Sequence, residues 1–167
     1  DGGPSDIGLE STVLDVSASC ILRPGGTPQS TIETLIGPLA AAAPGGCIVS
    51  PGQLKSHYAP SKPLYPHTET EMRRLVFSAD AAYLFFNQAS FDAFFENNKL
   101  SAGLLGYGNR VFILSRRGSL TQAAARLFDT LHTIDALPIR LIHAERPPNT
   151  GLGAAINDRL SRAAGVC

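Results

Sequence analysis

Apolar and polar positions change rhythm near residue 61. Before it, residues 9–16, "LESTVLDV", alternate loosely and are rich in β-branched side chains, and residues 20–23, "CILR", form a second short apolar run. Together they predict a pair of strands. The stretch "GGTPQSTIETLIG" follows. Thr27 suits an N-cap, Pro28 the first helical position and Gly37 the stop, so a short helix is expected. "PLAAAAPGG" is small and turn-rich, and residues 45–61 read as a linker, extended where prolines force it.

After residue 61, short apolar runs alternate with segments of helical period. "KPLYP", "AAYLFFN", "RVFILS" and "IRLIHAE" predict four strands. "TETEMRRLVF" opens with Thr68 and carries Glu71 three residues on, a capping-box pattern. "SFDAFFENN" predicts another helix. "SLTQAAARLFDTLHTIDAL" has a second such box, Ser119 with Gln122, and places Ala124, Leu127, Leu131 and Ile134 on one face. "TGLGAAINDRLSRAAG" does the same with Leu152, Ile156, Leu160 and Ala163. Continuous apolar strands between helices imply a parallel sheet covered on both faces, a small three-layer α/β domain.

Composition narrows the function classes. The 167 residues are 44% hydrophobic and 17% charged, enough for a real core. Lys+Arg and Asp+Glu balance at 14 each, which gives no support for strong non-specific nucleic-acid binding. No apolar run is long enough for a membrane span, and no signal peptide opens the chain. A cytoplasmic protein is expected. The first residues, "DGGPSDIGLEST", read like the middle of a longer protein. Cys20, Cys47 and Cys167 are odd in number and far apart, match no zinc or redox spacing, and are expected to be reduced.

Three stretches carry candidate chemistry. Ser11 and Thr12 begin a strand, and Arg23 ends the next one before a glycine turn. Hydroxyls suit a small polar ligand, and a guanidinium suits a carboxylate or phosphate; a strand hydroxyl and a surface arginine are the plainer alternative. In "SPGQLKSHYAP", Lys55 can hold a phosphate, His57 can exchange a proton and Tyr58 can stack on a base. Its prolines stiffen it, so it suits a lid as well as a spacer. "HAERPPNTGLGAAINDRL" could offer a helix N-terminus to an anion, but its glycines are too few for a dinucleotide fingerprint, and a tight turn is the plainer reading. His67, His132 and His143 are lone, so no metal site is expected, and Arg73–Arg74 and Arg116–Arg117 read as solvated pairs.

Taken in order, "ESTVLD", "ILRPGG", "SPGQLKSHYAP" and the closing "GLGAAINDRLSRAAG" resemble the two-domain form of L-threonylcarbamoyladenylate synthase. The resemblance covers nearly the whole chain. It implies that residues 1–37 are the end of a YrdC-like catalytic domain, 38–61 a linker and active-site lid, and 62–167 a Rossmann-like C-terminal domain. It implies a nucleotidyltransferase that makes threonylcarbamoyl-AMP and pyrophosphate from L-threonine, bicarbonate and ATP, with Mg2+ on the ATP phosphates. The product serves N(6)-threonylcarbamoyladenosine formation in tRNA, with a tRNA-modifying transferase as a possible partner. Ser11 and Thr12 are then the L-threonine candidates; Arg23, Tyr58, His57 and Lys55 are the ATP candidates. The family's upstream Lys-x-Arg and Ser-x-Asn segments do not occur in this chain, and "PGQLKSHY" lacks a methionine and a first tyrosine found in many members. The alternative is a non-catalytic nucleotide- or partner-binding regulatory module. An independent dinucleotide-dependent oxidoreductase is disfavoured by the incomplete glycine pattern.

Overall fold

The computed structural model describes residues 7–40, 59–98 and 107–165. Two sheets organise them. Strands β1 (Val13–Asp15) and β2 (Cys20–Arg23) form an antiparallel hairpin, followed by helix α1 (Gln29–Ile36). A four-stranded sheet follows, built from β3 (Leu64–His67), β4 (Ala81–Phe85), β5 (Val111–Ile113) and β6 (Leu141–Glu145). All of its pairings are parallel, in the order β3-β6-β4-β5. The last strand thus enters between the first two.

Helices α2 (Glu69–Arg74), α3 (Gln88–Asn97), α4 (Leu120–Asp135) and α5 (Leu152–Ala163) cover this sheet. Met72 of α2 and Phe94 of α3 bury with Ala81, Tyr83 and Phe85 on one face. On the other, Ala124, Leu127, Leu131 and Ile134 of α4 and Ile156 and Leu160 of α5 bury with Leu64, Leu84, Ile142 and Ala144. The helical and strand periods read from the sequence meet here as two cores separated by one sheet. Each large side chain fully removed from water contributes about 1.5–3 kcal/mol. Strand β5 is only partly buried, because it is an edge strand, whereas β4 at the centre is buried at every position.

Capping follows the sequence at some ends and departs at others. Thr68 and Glu71 form the full reciprocal box on α2. Ser119 accepts from the Gln122 amide, but the Gln122 side chain accepts from Ser115 Oγ at 2.7 Å instead of returning to Ser119. The Ser119 amide is satisfied by Ser115 Oγ at 2.9 Å, so one hydroxyl takes over half of the expected box. Thr27 is not the N-cap of α1: Pro28 holds that position and its carbonyl accepts from the Thr31 and Ile32 amides. Thr27 is committed elsewhere, to Thr12. Gly37 ends α1 at φ 89, as its position predicts.

The hairpin is seated on the larger unit. Ile7 and Leu9 pack against the α4/α5 core. Between them Gly8, at φ +63, crosses α4 so closely that a Cβ would lie 2.6 Å from Ala125 Cα. Just before β3, Asp135 at the end of α4 accepts from the Ser61 amide at 3.0 Å and the Ser61 hydroxyl at 2.9 Å, with the Lys62 ammonium 3.5 Å away.

Candidate functional site

Ser11, Thr12 and Arg23 come together where the loop before β1 crosses the turn after β2. Arg23 is buried, and its Nη2 donates to the Ser11 carbonyl at 2.9 Å. The Gly26 amide donates to the Glu10 carbonyl at 2.8 Å. Thr12 Oγ1 donates to the Thr27 carbonyl at 2.6 Å and accepts from the Thr27 amide at 3.2 Å. Gly25 makes the crossing possible, since a Cβ there would stand 2.3 Å from the Glu10 carbonyl oxygen. The two segments are therefore laced residue by residue. Thr12 spends its hydroxyl on the lacing, while Ser11 is exposed. Of the two hydroxyls, Ser11 is the one presented to solvent.

A charge network centred on one buried guanidinium adjoins this crossing. Arg159 of α5 is 6% exposed and pairs with the Glu10 carboxylate, and its Nη1 donates to Asp158 Oδ2 at 2.8 Å. Arg162 Nε donates to the same Asp158 oxygen at 2.8 Å. Burial pushes the Arg159 pKa down, against the pull of Glu10 and Asp158 and with the like charges of Arg23 and Arg162. The local (i, i+4) spacing of Asp158 and Arg162 is visible in the sequence. The contact between Glu10 and Arg159 is not, because it joins opposite ends of the chain.

The loop before α5 takes the plainer of its two readings. Gly151 sits at φ +51 and Gly153 packs so tightly that a Cβ would lie 1.9 Å from the Pro148 carbonyl oxygen. The Gly153 amide donates to the Thr150 carbonyl at 2.8 Å, and Asn157 Nδ2 donates to the Pro147 carbonyl at 3.0 Å. Carbonyl oxygens crowd this helix start, which opposes an anion there.

Two histidines read as lone are partners. The register of β3 with β6 brings His67 Nε2 within 2.9 Å of His143 Nδ1. Burial, then the neighbouring His67, pushes the His143 pKa down to about 4, and burial also lowers His67. No third ligand joins them: among the described residues no cluster of three or more His, Cys, Asp or Glu side chains is placed to hold a metal ion. Two residues further along β6, on the same face, Glu145 is buried and accepts from the Phe86 amide at 2.9 Å and from Ser90 Oγ at 2.7 Å. Arg73–Arg74 and Arg116–Arg117 are exposed, as expected, with Arg73 paired to Glu69.

A cavity of about 620 Å³ opens between the β2–α1 segment and the start of α5, lined by Leu22, Pro24, Thr27, Glu33, Thr150 and Asp158 among others. Among the described residues its lining holds two carboxylates and no Lys or Arg, which does not suit a triphosphate. Lys55, His57, Tyr58, Cys47 and Cys167 lie outside the described residues; Cys20 is a free thiol. Among the described residues no helix is long and apolar enough to cross a membrane.

Residues 27–165 match the family described as threonylcarbamoyl-AMP synthase, C-terminal domain. The threonylcarbamoyl-AMP synthase of Bacillus subtilis (strain 168) is 34% identical over 171 residues, covering 99% of this chain and 48% of the relative. That of Pyrococcus abyssi (strain GE5 / Orsay) is 30% identical over 178 residues, with the same two coverages. The chain therefore spans about half the length of the curated relatives it matches. The crystal structure of P. abyssi Sua5 complexed with L-threonine superposes with a TM-score of 0.73 at 27% identity, over 99% of this chain and 48% of that one. A variant of P. abyssi Sua5 with a His and a Tyr changed to Ala gives 0.71 at 25% identity, with the same coverages. The α/β architecture, a four-stranded parallel sheet flanked by helices, agrees with these structures.

Proposed function

The chain belongs to the threonylcarbamoyl-AMP synthase family, and from that premise we propose that it works as the C-terminal part of an enzyme that condenses L-threonine, bicarbonate and ATP into threonylcarbamoyl-AMP and pyrophosphate. The product would feed N(6)-threonylcarbamoyladenosine formation in tRNA, in the cytoplasm, by way of a tRNA-modifying transferase. The observation that carries the reading is the lacing of "LEST" to "RPGGT": a buried guanidinium, Arg23, holds the backbone carbonyl of Ser11, whose side chain is exposed, through one hydrogen bond.

The chemistry asked of these residues is placement and charge. A carbamate formed from threonine attacks the α-phosphate of ATP in line with the departing pyrophosphate. Ser11 holds the amino acid. Arg23 faces the phosphates and offsets the charge that develops on them. Magnesium enters with ATP as part of that substrate and supplies further charge neutralisation on the phosphate oxygens. His57, Tyr58 and Lys55 of the linker belong to the nucleotide side of the same proposal, with Tyr58 the foremost. The bound L-threonine named for P. abyssi Sua5 supports threonine as the amino acid.

Pyrophosphate release from ATP, with L-threonine and bicarbonate present, tests this on the chain as given and on a longer chain of the relatives' length. Activity of the longer chain alone is the expected result. Inactivity of both would overturn it and favour a regulatory module that docks to a partner.

A further inference from the structure

Arg159 sits on the buried side of α5, in the part of the chain that folds around the four-stranded sheet. Taking a guanidinium out of water is costly before any compensation. A helix that only had to pack on a sheet would be better served by an apolar side chain at that position, as Ile156 and Leu160 show on the same helix. The charge is useful where it fixes one arrangement among several. What it fixes is Glu10, the residue immediately before Ser11.

Glu10 is gripped at two points. Its carboxylate meets Arg159, and its carbonyl accepts from the Gly26 amide. The Ser11 carbonyl is held in turn by Arg23. With these three anchors in place, the backbone that carries the exposed Ser11 side chain is held where it is. Arg162 completes the arrangement from behind: it holds Asp158, the second carboxylate on Arg159, so the guanidinium is oriented from both sides.

We infer that Arg159 is a positioning residue: through Glu10, helix α5 sets where the Ser11 hydroxyl meets its substrate. The α/β unit then takes part in substrate placement and is more than an appendage to it. The identity of that substrate as L-threonine rests on the synthase reading; the positioning itself does not.

The experiment uses the longer, active protein and three variants. Arg159→Met removes the grip. A double exchange, Glu10→Arg with Arg159→Glu, restores it with the charges swapped. Leu160→Val weakens the packing of the same helix without touching Glu10. Two readouts are taken: steady-state kinetics in L-threonine, and amide exchange at Gly26 and Thr27, whose N–H groups tie the crossing together. Arg159→Met is expected to raise the L-threonine KM about tenfold while kcat changes less than about threefold. Exchange at the two amides should quicken, and the double exchange should recover part of both effects. Leu160→Val should lower the melting temperature and leave the L-threonine KM alone. If Arg159→Met behaves like Leu160→Val, the residue is structural and the inference is overturned. If the parent protein releases no pyrophosphate, the synthase reading falls, and amide exchange alone decides the positioning: protection at Gly26 and Thr27 in Arg159→Met no lower than in Leu160→Val overturns it, and a loss found in Arg159→Met but not in Leu160→Val upholds it.

Discussion

His67 and His143 meet ring nitrogen to ring nitrogen at 2.9 Å, although 76 residues separate them in the chain. One of the two nitrogens must donate and the other accept, so the pair holds a single proton between its facing atoms. Tyr83 packs beside His143, with ring centroids 5.3 Å apart. A second charge in this half-buried setting is costly.

That cost gives a pH dependence. His143 has a folded pKa of about 4 against 6.5 for the free side chain, so between those values the unfolded chain binds more protons. Stability should therefore fall as pH is lowered from 6.5 towards 4, with His67 acting in the same direction. After discounting for its partial exposure, His143 accounts for roughly 1–2 kcal/mol of that loss. Urea unfolding at pH 7 and pH 5 checks this. His143→Gln should show a smaller drop in midpoint than the parent; equal drops would remove His143 as the cause.

Glu145 should behave in the opposite sense. Burial raises its pKa, so its contribution to stability is fully present below about 4.5 and is lost as pH rises through the folded value. Glu145→Gln keeps the shape: its oxygen can accept from the Phe86 amide while its NH2 donates to Ser90 Oγ, a hydroxyl that can turn to accept. A loss of about 1 kcal/mol or less is expected. The deficit should be larger at pH 5 than at pH 8 in thermal melts. A deficit that grows with pH would contradict the assignment.

Gly25→Ala should disrupt the crossing on which Ser11 and Arg23 depend. The new methyl would stand 2.3–2.4 Å from backbone atoms of Glu10, Ser11 and Thr12, and backbone has no rotamer by which to yield. Overpacking of this kind costs about 1–3 kcal/mol or more. In the longer protein, activity should fall further than the melting temperature alone would explain. Wild-type kinetics in Gly25→Ala would mean that the crossing is not needed.

Arg23→Ala in the longer protein should lose most activity through ATP. Loss of a charge-assisted contact to phosphate lowers kcat/KM for ATP by roughly ten- to a hundredfold. Arg23→Lys keeps the charge but not the planar fork and should recover only part. Unchanged ATP kinetics in Arg23→Ala would sink the role.

Much of the larger unit was legible in the sequence because its signals are local. The Thr68–Glu71 box, the apolar stripes of α4 and α5, and the unbroken apolar run of β4 each occupy one short window. The missed features are those that depend on strand order or on competition for one atom. His67 and His143 look solitary until β6 is known to lie beside β3. Ser119 and Gln122 look like a complete box until Ser115 Oγ claims both of its free ends. Thr27 looks like a cap, but the Thr12 hydroxyl takes its backbone groups first. Ser11 and Arg23 were readable as candidates; Glu10 and Arg159, which brace them, carry no sign of each other.

The bond between Glu10 and Arg159 also bears on where this molecule can be divided. The match to the C-terminal domain family begins at residue 27, although relatives are similar over 99% of the chain, and a cut there would look natural on a map of it. The cut would keep the base and discard one of its acids. Arg159 would keep Asp158 but lose the Glu10 carboxylate, the other of its two ion-pair partners, at a cost of about 1–3 kcal/mol, a sizeable share of what holds a unit of this size together. The boundary drawn by the family match and the boundary drawn by charge balance differ by at least seventeen residues, from Glu10 to Gly26, and a chimera that respects only the first would inherit an arginine with one of its two carboxylates gone.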